Sequence, residues 1–517
     1  MIDNVFTLSA KAQLEYCACI VKIGVIEPIE NSDFLAKTYV NGFPIVVRKD
    51  EVKTGDILIY CPIETCINRK FLSVNNLFDL SERKMNINYK NVQKLIDVGD
   101  KDTAKSMVGF FNKHGRVKIV TLRGEPSMGF MFKPEDLSKW IKNVDLSGID
   151  ELVGTQFDTV MGELFIKVYV PYKKEVAPQN CSNKRLNNRN KRIIKFDRMI
   201  EGEFSFHYDT NQLGVNIHRI NPDDKIFVDL KFHGTSFCCG NVKVKQPIYV
   251  SKAALAVRKR MIHDAYVLGN KAKKIYNNLG IKMRRENILK SLPKTYVERY
   301  GNVYSSRGII KNQYINKNVQ NGFYKVDIWG KVNNLISQYI PEGMTVYGEI
   351  IGYIPESGKM IQKDYDYGCD ERQFKFLIYR ITTKSENGTK KEWNKSDVDK
   401  WTKQLVSEHS ELKPYVQPLV IFYHGKAKDM YPELDPTSPN WNEMFLKRME
   451  NDRDLLGLEL NEPLCVKQVP REGVVIRIDD DKMAEAFKLK SVAFYMLESK
   501  KVDKGEVDVE MNENTNY

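Results

Sequence analysis

No apolar run in the 517 residues reaches the roughly 18 needed to span a bilayer, so no membrane span and no membrane partner is expected. The N-terminus, Met1-Ile2-Asp3-Asn4-Val5-Phe6, lacks the basic stretch followed by an apolar one that marks a signal peptide. Cysteine is scarce and unpaired in pattern: nine residues, an odd number, with no Cys-x-x-Cys spacing. That argues against a disulfide framework and for reduced thiols in a cytoplasmic compartment. Cys17/Cys19 and Cys238/Cys239 are expected to pack within strands rather than to hold a metal.

What is present suits a globular chain: 42% hydrophobic and 11% aromatic residues. The length exceeds one ordinary core, so two or three domains are expected. Net charge is +13, and its location matters. Asn183–Arg198 holds seven Lys/Arg against one Asp, and Lys252–Arg285 holds ten against one. Together they contribute +15, which leaves the rest of the chain slightly acidic. Basic charge concentrated in this way favours a polyanion such as nucleic acid.

Taken in order, residues 1–140 read as several short strands with Gly-containing turns, the pattern of a small barrel. Cys17–Ile29, Phe34–Glu51 and Gly55–Tyr60 carry strands. Asn41-Gly42, between Thr38-Tyr39-Val40 and Ile45-Val46-Val47, is a strong hairpin signal. Arg116–Leu122 and Gly129–Phe132 form a second hairpin-like unit, and Met85–Asn112 reads as a partly helical insertion. Residues 141–200 read as a linker or lead-in segment. Ala253–Leu292 has apolar residues at helical spacing, and Trp393–Pro470 reads as a helix-rich insertion broken at Pro414–Pro418. The end of the chain, 499–517, is expected to be an acidic disordered tail.

The most informative stretch is Asp229–Asn241. It follows the apolar run Lys225-Ile226-Phe227-Val228, so Lys231 falls at a strand's end. Gly234, after His233, would let the backbone turn tightly and approach a ligand. A lysine held in an apolar wall can act as an amine nucleophile. Alone, Lys-x-His-Gly is a weak pattern. Downstream, in order, come Ser305-Ser306-Arg307-Gly308, Val346-Tyr347-Gly348-Glu349-Ile350-Ile351-Gly352 and Phe374-Lys375-Phe376-Leu377-Ile378-Tyr379. Glu472-Gly473-Val474-Val475-Ile476-Arg477 and Phe487-Lys488-Leu489-Lys490 complete the set. This ordered series resembles the motif set of the covalent nucleotidyltransferases: DNA ligases, RNA ligases and mRNA capping enzymes.

The N-terminal region resembles the OB domain of the Deinococcus/Naegleria type of RNA ligase. Ile26-Glu27-Pro28-Ile29, the Asn41-Gly42 hairpin, Val52-Lys53-Thr54-Gly55-Asp56 and Leu122-Arg123-Gly124 with Ser127-Met128-Gly129 carry that likeness. DNA ligases and capping enzymes place an OB domain late in the chain, whereas only 27 residues follow Lys490. The implied fold is α+β: an OB-like β-barrel over 1–140, then an adenylyltransferase domain over 201–498 with ATP-grasp-like antiparallel sheets and helices.

The function this resemblance implies is an ATP-dependent RNA ligase. It would join 3′-OH and 5′-phosphate RNA ends through lysyl–AMP and RNA-adenylate intermediates, at nicks in duplexes, as a monomer. It assigns Lys231 as nucleophile, Arg307 to a phosphate or the terminal ribonucleotide, and Glu349 to the AMP ribose or a metal-bound water. Tyr379 would stack on adenine, with Phe376 as substitute, because Arg380 stands where many relatives carry Asp. Glu472 would hold a divalent metal, Mg or Mn, at the mouth of a strand whose own face carries Val474 and Ile476. Lys488 and Lys490 share a strand face, and an anion such as a triphosphate would relieve their repulsion. His233 stands where DNA ligases usually carry Asp and many RNA ligases His. The rival readings are a DNA ligase, a capping-type guanylyltransferase, and a nucleic-acid-binding protein without catalysis.

Overall fold

The computed structural model describes residues 5–170, 199–207, 210–247, 271, 296–311, 324, 326–385, 387–480 and 485–506. Both basic clusters, and with them the helix expected over Ala253–Leu292 except for Lys271, lie outside the described residues.

The N-terminal unit is built from short strands around a phenylalanine-rich core. A four-stranded sheet runs Phe130–Phe132, Ile57–Cys61, Ala18–Lys22, Gln156–Phe157. Beside it stands a three-stranded sheet of Glu27–Pro28, Leu35–Val40 and Phe43–Arg48. Leu35–Val40 alternates between partly and fully buried residues, as a strand with one face on a core should. Asn41 and Gly42 both adopt positive φ, 51° and 81°, and Val40 pairs with Phe43, giving the two-residue turn their side chains favour. Phe71, Phe78, Phe111, Phe157 and Phe165 are almost wholly excluded from solvent. The insertion is helical, with Tyr89–Asp97 and Lys101–Ser106; Asp100 caps the second helix by accepting from the Thr103 N–H.

Three expectations are corrected here. Ile119–Leu122 pairs with Glu125–Met128 about the Arg123–Gly124 turn, while Phe130–Phe132 crosses to pair with Ile57–Cys61. Residues 141–170 are not a linker: Gln156–Phe157 pairs with Ala18–Lys22, and Ile166–Val168 with Thr65–Ile67. Their strands are only two or three residues long, so no periodic pattern marks them. Residues 499–503 are the last turns of a helix, Val492–Asp503, and not a disordered tail.

The second unit holds two sheets. One is ordered Asn211–Gln212, Ala486–Lys490, Gly473–Ile478, Lys225–Lys231, Ile421–Lys426. The last of these lies inside the segment expected as a helix-rich insertion; its helices, Lys395–Glu408 and Trp441–Glu450, are present, but the strand between them completes the sheet. The other sheet contains Tyr296–Ser305, Thr235–Pro247, Met344–Gly352, Phe374–Lys384 and Lys390–Glu392. Trp329, fully buried, donates its indole N–H to Ser236 O at 3.1 Å and anchors the helix Ile328–Ile336 on this sheet.

The eight described cysteines are free thiols. Burial pushes the thiols of Cys17 and Cys19 up to about 11, with the charge of Asp158 adding to the effect at Cys17, and Cys238 and Cys239 are buried too. Among the described residues no group of three or more His, Cys, Asp or Glu is arranged to hold a metal by itself. No helix among them is long and apolar enough to cross a membrane.

The units meet over a mixed interface. Arg116, 2% exposed, forks onto Glu64 at 2.6 Å and reaches Asp503 at 2.7 Å on the C-terminal helix. Phe43 meets Tyr495 edge-on, and Ile63, Met128 and Tyr495 share a small apolar cluster. The Asn41–Gly42 turn presses against Gly214 and Glu450 of the second unit.

Candidate active site

The strand Lys225–Lys231 alternates faces. Ile226 and Val228 enter the core, while Asp229 and Lys231 share the other side. Register then does the assembly. Lys231 lies opposite Gly473, and Gly473 opposite Lys490; one step along, Asp229 lies opposite Val475 and Val475 opposite Lys488. Residues distant in sequence thus form two rows across one sheet face, over a cavity of about 650 Å³. That volume is ordinary for a small-molecule site, about 300–1,000 Å³.

Glu472 joins this face by a break in alternation. Val474 and Ile476 are fully buried in the core, whereas Glu472, Val475 and Arg477 line the cavity. The expectation that Glu472 shares a face with Val474 and Ile476 is therefore corrected. Gly473, at φ 153°, lets the chain change side, and it lies so close to its neighbour that a Cβ there would stand 2.7 Å from Lys490 Cα. The result is a compact charge cluster. Glu472 Oε1 is 2.6 Å from Lys231 Nζ and 3.6 Å from Lys490 Nζ. Its Oε2 is buried and has no hydrogen-bond partner among the described residues.

Lys490 is enclosed, yet its ammonium is held well above the ordinary lysine range. Burial pulls the other way, and the carboxylates of Glu498 and Glu472 outweigh it. Glu498 accepts from Lys490 Nζ at 2.9 and 3.1 Å. Lys488 Nζ meets Glu15 Oε2 of the N-terminal unit at 3.0 Å. The repulsion expected between Lys488 and Lys490 is thus answered by carboxylates of the chain itself.

The opposite wall comes from the second sheet. Gly234 is not a positive-φ turn; its lack of a side chain serves close packing, since a Cβ would stand 2.9 Å from Glu349 Cγ and would clash with Ile350 O. Its N–H donates to Glu349 Oε1 at 3.1 Å, and its carbonyl accepts from Gln362 Nε2 at 2.8 Å. The His233 ring packs edge-on against Tyr365 and Phe494, and its backbone N–H donates to the Tyr367 hydroxyl at 2.8 Å. Arg307 and Tyr379 both line the cavity. Tyr379 lies 5.1 Å from the His207 ring, with the Arg477 guanidinium 5.7 Å from its own ring.

Of the eight residues singled out in the sequence, Lys231, Arg307, Glu349, Tyr379, Glu472, Lys488 and Lys490 converge on this cavity. Phe376 does not. It is fully buried beneath Gly348 and against Phe237, on the core face of its strand, and cannot serve as a substitute for Tyr379. Arg380 also turns away, forking onto Glu392 at 2.7 and 2.8 Å below the Tyr347 ring. Sequence reasoning missed Glu15, His207, Gln362, Arg477 and Glu498. Arg477 left a signal as the end of the run Glu472–Arg477, and Glu498 as an acid two turns beyond Lys490; Glu15, His207 and Gln362 arrive by tertiary packing.

A divalent metal fits the donors present. Hard cations such as magnesium take one or two carboxylates and complete their shell with water and phosphate oxygens. Glu472 Oε2, buried and unpartnered among the described residues, is such a donor, and Glu349 stands across the same cavity.

Residues 17–93 match a family model described as an OB-fold domain. No curated protein matches the chain by sequence. Among solved structures, it is similar to Naegleria gruberi RNA ligase with PPi: 15% identity, 94% of this chain and 99% of that chain covered, TM-score 0.46. It is likewise similar to a mutant of that enzyme with ATP and Mn (15%, 93% and 98% covered, TM-score 0.46) and to another with AMP and Mn (15%, 93% and 98%, TM-score 0.47). The chain thus carries an N-terminal OB-fold domain on a second, mixed α/β unit, and its charged cavity lies where the two meet.

Proposed function

We propose that this protein is an ATP-dependent RNA ligase that joins 3′-OH and 5′-phosphate ends by way of a lysyl–AMP. The observation that carries the reading is the convergence of Lys231, Glu472 and Lys490 on one sheet face above a nucleotide-sized cavity. Lys231 Nζ attacks the α-phosphorus of ATP. A P–N bond forms, the bond to the bridging oxygen of the β-phosphate breaks, and pyrophosphate departs. Glu472 Oε1, 2.6 Å away, is placed to take the proton from Nζ. Reactions of this kind depend on positioning and charge neutralisation. Lys488, Lys490 and Arg307 supply the cations, and Tyr379 with His207 offers aromatic surface to the base.

Magnesium or manganese held by Glu472, with Glu349 near, would offset charge on the α-phosphate. AMP then passes to the 5′-phosphate of RNA, and the 3′-OH displaces it to close the strand. The OB-fold domain beside the cavity supplies a surface of the kind that binds nucleic acid, which supports sealing at nicks in duplexes. His233, as in many RNA ligases, favours RNA over DNA. Lys231, Arg307, Glu349, Glu472, Lys488 and Lys490 all reach the cavity from one copy of the chain, which supports a monomer.

The test is incubation with α-labelled ATP or GTP and magnesium, followed by denaturing electrophoresis. An acid-labile label from ATP, absent in Lys231→Ala, is expected; the same variant should still seal RNA already adenylylated at its 5′ end. Label from GTP would move the reading to a capping-type enzyme. Absence of label from either nucleotide would leave a nucleic-acid-binding protein.

A further inference from the structure

The two strand-borne lysines of the cavity are neutralised by carboxylates of different origin. Glu498 is local, eight residues after Lys490 on the helix that follows it. Glu15 is not. It sits in the turn Leu14–Tyr16 of the N-terminal unit, 473 residues from Lys488 in sequence, and enters the cavity with Leu14 and Tyr16. Only one of its oxygens is matched. Oε2 meets Lys488, while Oε1 is buried with no hydrogen-bond partner among the described residues. Glu15 also lies close enough to Tyr495 for its charge to add to the burial that raises that phenol. A carboxylate with one oxygen ion-paired and the other buried and unsatisfied is poorly accommodated. It is therefore readily exchanged for a better anion.

Resting on the adenylyl-transfer reading, we propose that Glu15 is an internal anion that occupies the phosphate end of the cavity and sets its affinity for phosphate chains. ATP or pyrophosphate takes its place on Lys488, and it returns when pyrophosphate leaves. Because Glu15 belongs to the N-terminal unit, each exchange also removes one tie between the two units. Phosphate binding and their docking are therefore linked, and each weakens the other equally.

The probe is inorganic pyrophosphate, titrated into the full-length protein and its Glu15→Gln variant, with adenosine as the phosphate-free control. Removing a competing charge while keeping its shape should tighten pyrophosphate and ATP by about threefold to tenfold. Adenosine binding should not change. Pyrophosphate binding that is unchanged or weaker, or an equal change for adenosine, would overturn the proposal. Should Glu15→Gln fail to fold, Glu15→Asp, which draws the carboxylate back by one methylene, is expected to shift pyrophosphate in the same direction; no shift overturns it equally. Lysyl–AMP formation by the wild-type protein separates the two levels. If none forms, the adenylyl-transfer reading falls. If it forms while Glu15→Gln binds pyrophosphate no more tightly, only the role of Glu15 falls.

Discussion

At the scale of single residues, Asp229 is the most telling outside the charge cluster. It is fully buried two positions before Lys231, with Arg477 Nε 3.6 Å and Lys395 Nζ 3.8 Å away, and neither of its oxygens is hydrogen-bonded among the described residues. Burial pushes its carboxyl up to about 6, and Lys395 and Arg477 only partly pull it back. The folded state therefore keeps this proton to higher pH than the unfolded chain. Stability from this group is greatest below the unfolded carboxyl's range. It falls as pH rises towards about 6 and stays lower above that value. Asp229→Asn should flatten this part of the profile, worth about 3 kcal/mol over the window. Denaturant melts of both proteins from pH 4 to pH 7 decide it, and parallel curves would refute the assignment.

At the scale of elements, the cavity is a product of strand register. A shift of one residue in Gly473–Ile478 would send Val475 and Arg477 into the core and Val474 and Ile476 to the cavity. Gly473 fixes that register while placing Glu472 on the charged side. In Gly473→Ala the new methyl meets main-chain atoms of Leu489 and Lys490, which cannot swing aside. The expected cost is roughly 1–3 kcal/mol, with a loss of lysyl–AMP formation out of proportion to it, because Lys490 is pushed from Glu472. Wild-type labelling at a temperature where the variant is fully folded would contradict this.

The same elements explain what could be read from the sequence. Lys231, Glu349, Glu472, Lys488 and Lys490 stand in or beside apolar runs that also form their strands, so motif and structure coincide. Phe376 misled because Phe374–Lys384 carries apolar residues on both faces, and only packing decides which face meets the core. The hairpin at Asn41-Gly42 was legible from its turn chemistry. The strands between Gln156 and Val168 were not, being too short for a period to register. Glu15 reaches Lys488 through the docking of two units, which no local pattern encodes.

At the scale of the molecule, the C-terminal helix is shared property. Its inner face carries Glu498 to Lys490, and its last turns carry Ser499 and Asp503 to Arg116 of the N-terminal unit. Arg116 is nearly inaccessible, whereas its partners Glu64 and Asp503 keep 18% and 45% of their side-chain surface, so water can take over the carboxylates if the guanidinium is removed. Arg116→Ala should destabilise the protein by about 1 kcal/mol, through the lost fork and the packing of the guanidinium on Tyr169. It should also speed amide exchange in the last turns of Val492–Asp503 relative to the core strand Lys225–Lys231. Equal protection in the two proteins would show that the helix is held by apolar packing alone.

Two turns with closely similar backbones carry opposite consequences for anyone labelling this protein. Around Gly124, in the Arg123–Gly124 turn, nothing among the described residues stands within 4 Å of an added Cβ. Asn41–Gly42 is wedged between Gly214 and Glu450 across the domain boundary. A peptide tag or fluorophore should be accepted at the first with little disturbance. At the second, the same graft would pry the two units apart.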